Sequence, residues 1–262
     1  MGRRAQRSIS CASILLVVGV AVCLCEADAS PWSREPGRLF ISTQTDFFLA
    51  KSSDVSLERY DNRAYFEYGL ARGTMIGAKL SHSASTFGSE EESTFSSGFS
   101  EIEGFAQHEI LRGERDVLSL RLAGGAPAKG SAGRADRAGH DVDLELRALY
   151  GRTLALRPLK IFAAVETGYR RRFGNDADEI RSDFLLGAEP ARRTLVLLEV
   201  FSTLSLRNEK LNGADYDVMK IQPSIIWRAS RHWSLQAGAV HELAGRNLLL
   251  GNAVFFGFWA LF

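Results

Sequence analysis

Cysteine is almost missing from the 262-residue chain: there are three, Cys11, Cys23 and Cys25, all near the N-terminus. Downstream of them no thiol remains, which excludes a disulfide framework, a cysteine nucleophile and a thiolate metal site. Proline is sparse, with six residues against 24 glycines. After Ser30 no stretch approaches the run of about eighteen apolar residues that a membrane-crossing helix needs. An excess of one charge is missing too, with 32 basic and 31 acidic residues, so nothing calls for nucleic acid as a partner. A composition of 45% hydrophobic and 24% charged residues is ordinary and decides little.

What is present begins at the N-terminus. Arg3, Arg4 and Arg7 precede an apolar run from Ile14 to Leu24, and Ala27-Asp28-Ala29 follows as an A-x-A cleavage pattern. The run is too short to span a bilayer and reads as a removed signal peptide over residues 1–29. Cys25 does not mark a lipoprotein site, because bulky Leu24 stands where that signal wants a small residue. The mature chain is then expected over residues 30–262. Taking away three basic and two acidic residues leaves 29 of each.

From Arg38 onward, segments with period-two character recur, each closed by Gly, Asp, Asn, Pro or a charged pair. Twelve strands are predicted, at 38–50, 60–71, 74–85, 99–111, 116–126, 141–151, 159–172, 179–188, 194–206, 216–229, 232–243 and 249–262. Their connections alternate in length. The short ones are 72–73, 112–115, 152–158, 189–193 and 230–231, while 51–59, 86–98, 127–140, 173–178, 207–215 and 244–248 tend to be longer and more polar. An even number of long strands, with short turns on one rim and longer loops on the other, predicts an all-β fold: one up-and-down antiparallel transmembrane β-barrel of about 12 strands. A Greek-key sandwich has no reason to sort its loops in this way.

The strand faces agree. In 141–151, Val142, Leu144, Leu146, Ala148 and Tyr150 alternate with Asp143, Glu145 and Arg147. In a barrel of this kind the apolar set meets lipid and the polar set lines a lumen. The last segment places Val254, Phe256, Phe258, Ala260 and Phe262 on one apolar face, and Phe255, Gly257, Trp259 and Leu261 on the other. Tyr68, Tyr150, Tyr169, Trp227 and Trp233 fall near strand ends on the apolar face, where interfacial girdles sit.

Carrying the alternation through every strand gives a lumen crowded with both charges. Its leading candidates are Glu101, Glu103, Asp143, Glu145, Arg147, Arg170, Arg172, Arg181, Asp183 and Lys220. Opposite signs on the neighbouring segments 141–151 and 159–172 predict cross-strand ion pairs; members left unpaired line a path and bias which solutes pass. Arg170, Arg172 and Arg181 form a candidate anion patch near the outer mouth. Twelve strands leave room for a small pore or for a side-chain-filled plug.

An enzyme is not expected. A lipid-cleaving barrel needs a nucleophile and a base within hydrogen-bond reach at the membrane boundary. His232-Trp233-Ser234 comes nearest, but Ser234 alternates inward; His82 and His108 have no adjacent serine on their face. The acidic runs Glu90-Glu91-Glu92 and Asp176-Ala177-Asp178-Glu179 lack the glycine and bidentate glutamate of a calcium loop. No cofactor is read from the sequence.

The segments 38–47 (RLFISTQTDF), 64–70 (AYFEYGL), 168–186 (GYRRRFGNDADEIRSDFLL) and 215–243, with the tail, resemble an uncharacterised family of Gram-negative outer-membrane barrels. That family is loosely similar to transporter-like proteins encoded beside aromatic-compound (phenol) degradation pathways. The resemblance implies an outer-membrane location, a single barrel and solute passage, and it supplies no catalytic residues. Terminal Phe262, with apolar partners at every second position before it, is similar to the assembly signal read by barrel-assembly machinery. The expected partners are outer-membrane lipids, that machinery and a small solute; a structural barrel with a filled lumen, or a lipid-modifying enzyme, are the alternatives.

Overall fold

The computed structural model describes residues 30–89, 92–126, 142–211 and 213–262. The expected signal peptide, the connection at 127–140 and His140 lie outside these residues. Twelve strands follow in chain order: β1 (Leu39–Lys51), β2 (Val55–Ala71), β3 (Thr74–Ser89), β4 (Ser93–Arg112), β5 (Asp116–Ala126), β6 (Asp143–Ala155), β7 (Lys160–Arg172), β8 (Glu179–Ala191), β9 (Thr194–Ser205), β10 (Asp217–Arg228), β11 (Trp233–Arg246) and β12 (Gly251–Leu261). Each pairs antiparallel with its sequence neighbours, and β1 also pairs with β12, so the sheet closes as a barrel. Closure removes the unpaired edge that an open sheet of this length presents.

The seam runs from Phe40 opposite Leu261 to Ala50 opposite Gly251. Beyond it Leu39 and Phe262 exchange backbone hydrogen bonds of 3.1 and 2.9 Å. The tail is therefore the closing strand. Along it Val254, Phe256 and Phe258 are exposed outward, while Phe255, Trp259 and Leu261 are buried inward. Ala260 departs from the expected lipid face: it lies opposite Trp233, whose ring packs against Phe258 and Phe262, and it is buried.

The outer surface is a continuous apolar band that includes Phe47, Leu122, Leu146, Val165, Phe184, Ile225 and Phe256, all exposed. Tyr68, Tyr150, Tyr169, Trp227 and Trp233 are exposed among them. Soluble monomers rarely expose an apolar patch beyond a few hundred Å².

Two expected loops shrink. β2 starts at Val55 and the β3–β4 hairpin continues from 85 to 89 and back from 93. The Ser- and Thr-rich stretch 81–98 holds no proline, and its backbone pairs as well above an apolar band as within it. Polarity marked these residues as a loop because the period-two signal needs an apolar face, which a hairpin standing in water does not have.

Candidate functional site: a charged lumen closed at one end

The rim with the short turns is occupied by the chain's own residues 30–36, which turn into the barrel ahead of β1. Ser30 and Pro31 are buried there. Gln107 Nε2 donates to the Ser30 carbonyl at 2.9 Å, Ser119 Oγ to the Pro31 carbonyl at 2.5 Å, and the Ser33 amide to Glu109 Oε1 at 2.8 Å. Trp32 sets its ring at 90° to Phe162, with centroids 6.1 Å apart. Arg34 pairs through Nε with Glu67, whose other oxygen accepts from Tyr65 at 2.7 Å. Glu67 is closed to solvent.

Glycine makes room for this segment at two places. A Cβ on Gly69 would stand 2.1 Å from the Glu35 carbonyl oxygen, and one on Gly151 would stand 2.5 Å from the Pro31 ring. Both are inside any permitted contact, so the wall is notched where the segment rests.

Above the segment the middle of the lumen is filled by paired side chains. Arg121 donates twice to Gln107 Oε1 and lies over the Phe105 ring. Arg147 bonds Glu145, Glu166 and Asp183, three carboxylates from three strands. Trp259 Nε1 donates to Gln236, and Gln236 to Ser224. A buried charge must be paired or hydrogen-bonded to be tolerated; Arg147 has three carboxylates and Arg121 the neutral Gln107 amide, and these side chains together fill the path.

The long-loop half holds a cavity of about 440 Å³, within the range of small-molecule sites. One of its walls is an ion-pair lattice. Glu145 stands opposite Arg170 and Asp143 opposite Arg172 on β6 and β7. Arg170 reaches past β6 and β5 to Glu101 at 3.0 Å and to Glu103 on β4. It can do so because at this level β5 turns only small residues, Ala123 and Gly125, inward between Glu103 and Glu145. Arg172 pairs with Glu179 at 2.7 Å and Asp176 at 3.3 Å, and Arg181 with Glu179 at 2.9 Å. The cavity's other wall, on β10, β11, β12 and β1, carries Lys220, Glu242 and the buried apolar residues Val240, Ala253 and Phe48.

The ten candidates thus all face inward, and eight of them touch the cavity or its lattice, seven from β4, β6, β7 and β8 and Lys220 from β10. Arg147 and Asp183 lie deeper. The expected anion patch of Arg170, Arg172 and Arg181 is not a set of free cations, since each guanidinium is taken up by two or more carboxylates. Lys220 differs: among the described residues it makes no ion pair, and its Nζ lies 5.1 Å from the Phe201 ring centre.

Residues 30–36 carry no strand periodicity of their own. A signal for them existed in the register: buried Glu67 has only Phe40 and Gly77 as cross-strand partners. An inward carboxylate with no cation on either neighbour requires one from elsewhere, and Arg34 provides it.

One histidine contradicts its expected isolation. His82 Nε2 lies 3.4 Å from Ser97 Oγ across the β3–β4 ladder, with the Phe99 ring edge-on. The pair is far apart in sequence and becomes adjacent only because those strands extend. No described hydrogen bond orients the other imidazole nitrogen, so the third group of a catalytic arrangement is missing among the described residues.

Loops at this end are knitted together. Asp178 accepts from the Arg172 amide at 2.9 Å, Tyr169 at 2.8 Å, Arg171 at 2.6 Å and Asn208 at 2.9 Å. Burial raises its carboxyl, but these bonds outweigh burial and hold it at about 2, below the ordinary 3.8. Asp176 accepts from the Ala214 amide at 2.7 Å, and the Lys210 amide donates to the Asn175 carbonyl at 2.8 Å.

No protein-family model matches the sequence, and no curated protein matches it. Its shape has clear likenesses. The COG4313 outer membrane channel from Pseudomonas putida F1 superposes with a TM-score of 0.66 at 12% identity, over 90% of this chain and 100% of its own. The NanC porin gives 0.56 at 8% identity, over 83% of this chain and 98% of its own. The translocator domain of the autotransporter NalP from Neisseria meningitidis gives 0.52 at 13%, over 87% and 89%. The fold is that of the outer-membrane β-barrels.

Proposed function

We propose that the protein is an outer-membrane channel or transporter for a small solute in a Gram-negative bacterium, exported with a cleaved signal peptide. The observation that carries this reading is the contrast between its two faces: an apolar exterior band and an interior lined with charge around a cavity of about 440 Å³. Lipid favours the first and water the second. The likeness in fold to channels and porins supports the same reading. Residues 30–36 close the short-turn end, so passage requires that segment to shift; the cavity is the resting place on the outer side.

Planar-bilayer recording of the purified barrel tests this. Discrete openings are expected, rare in the intact chain and frequent when residues 30–36 are removed. If neither form conducts at any voltage, the barrel is a structural one with a filled lumen.

A further inference from the structure

The geometry points to a binding site for a small zwitterion with an apolar body, an amino acid with an aliphatic side chain, on the β10–β11–β12–β1 wall of the cavity. This rests on reading the lumen as a solute path and names the class of solute.

Charge decides the ligand. Apart from Lys220 and Glu242, each charged side chain lining the cavity is in an ion pair, such as Arg63 with Asp46 at 2.7 Å, Arg59 with Asp61 at 2.7 Å and Lys79 with Glu101 at 3.2 Å. Lys220 and Glu242 are direct cross-strand partners, close enough in backbone for their side chains to meet. They do not pair. The Lys220 ammonium is drawn sideways over Phe201 on β9, and the Glu242 carboxylate is held the other way by the Gly251 amide at 3.0 Å. The two heads splay, one cation and one anion with space between them.

A simple anion placed on Lys220 would sit against Glu242, and a simple cation on Glu242 would sit against Lys220. Like charges at that range are repulsive, so each of these ligands loses on one contact what it gains on the other. A molecule that carries both charges on one carbon satisfies both heads, with its carboxylate on Lys220 and its ammonium on Glu242.

The apolar body has a place on the same wall. Val240 lies two residues from Glu242 on β11 and shares its face; Ala253 stands opposite Val240, and Phe48 opposite Ala253. All three are buried and line the cavity. The apolar patch begins where the charged pair ends, which matches an aliphatic side chain attached to the charged carbon.

Titration calorimetry on the full-length barrel folded in detergent tests the site with L-leucine as probe. Saturable binding is expected. 4-Methylpentanoate, which lacks the ammonium, and 3-methylbutylamine, which lacks the carboxylate, should each bind about tenfold more weakly, the loss of one charge-assisted contact. Lys220→Met and Glu242→Gln should each abolish the preference for leucine, and Lys220→Arg should retain it. Each variant is first shown to be folded by its anomalous migration on an unboiled gel. No saturable heat with leucine, equal affinity for 4-methylpentanoate, or an unchanged Lys220→Met protein overturns the proposal. Binding is read without a membrane, so failure here leaves conductance untouched, and absent conductance leaves the binding result standing.

Discussion

Arg34 and Glu67 form an ion pair whose side chains are 6% and 0% exposed, and it joins the N-terminal segment to the inner wall of β2. Breaking one side of such a pair strands a buried charge, at a cost of about 3–5 kcal/mol. The segment has the alternative of leaving the lumen. Glu67→Gln is therefore expected to leave the barrel folded while raising channel open time several-fold. Single-channel recording checks it, and a silent Glu67→Gln protein means other contacts hold the segment alone.

A Cβ at Gly69 tests the same segment without touching charge. The Glu35 carbonyl would be 2.1 Å away, so Gly69→Ala must displace the backbone there. A maleimide-accessible cysteine placed at Ser33 should react faster in Gly69→Ala than in the otherwise unchanged chain. Equal labelling rates would mean that the segment moves within its notch and stays inside.

Arg170 is the cation that reaches from β7 to the carboxylates of β4. Arg170→Ala frees Glu103, leaves Glu101 to Lys79 alone and Glu145 to Arg147 and Arg181, and removes the arm that reaches across β6 and β5. Cation selectivity, measured as the reversal potential in a potassium chloride gradient, is expected to rise several-fold. An unchanged potential would place the conducting path elsewhere.

The outer face predicts a depth effect. Phe256→Lys puts a charge on the exterior band at a cost of about 2–4 kcal/mol. Ser100→Lys, which adds the same charge to the cavity lining, should cost far less. Urea titration of the folded, gel-shifted fraction in liposomes reads the difference, and equal midpoints would put Phe256 outside the bilayer.

Asp178 sets a pH window for the loop cap. Its carboxyl is held at about 2 in the folded chain against 3.8 ordinarily. A carboxyl depressed by folding contributes stability above its unfolded value and loses it as pH falls through the folded one. Pepsin cleavage in the 206–216 loop, normalised to an unstructured peptide, should be slow at pH 4 and accelerate toward pH 2. Asp178→Asn should be cleaved readily at both.

The barrel was legible in the sequence because Val142 to Gly151 and Leu159 to Arg172 alternate without interruption, and alternation is the one local signal that a strand between lipid and water must carry. Where a strand meets water on both sides, as at 85–89 and 93–98, that signal fades and pairing must be seen. The lumen residues were legible as types; their partners were not. Arg170 looks available until the small inward residues of β5 let it reach Glu101 and Glu103, a relation across three strands that no periodicity encodes. Residues 30–36 were silent for another reason, since an irregular segment held by carbonyls and notches has no repeat to detect.

The described contacts of that segment fall on β1, β2, β4, β5, β6 and β7, through Phe40, Glu67, Gln107, Ser119, Gly151 and Phe162. None of these belongs to the last five strands. Among the described contacts, the surface that receives residues 30–36 therefore lies within the first seven strands, which by themselves form an open trough. The chain can lay residues 30–36 into that trough and then close β12 against β1 over them. Enclosure of the segment is a matter of the order in which strands are added, and no passage through a finished ring is needed.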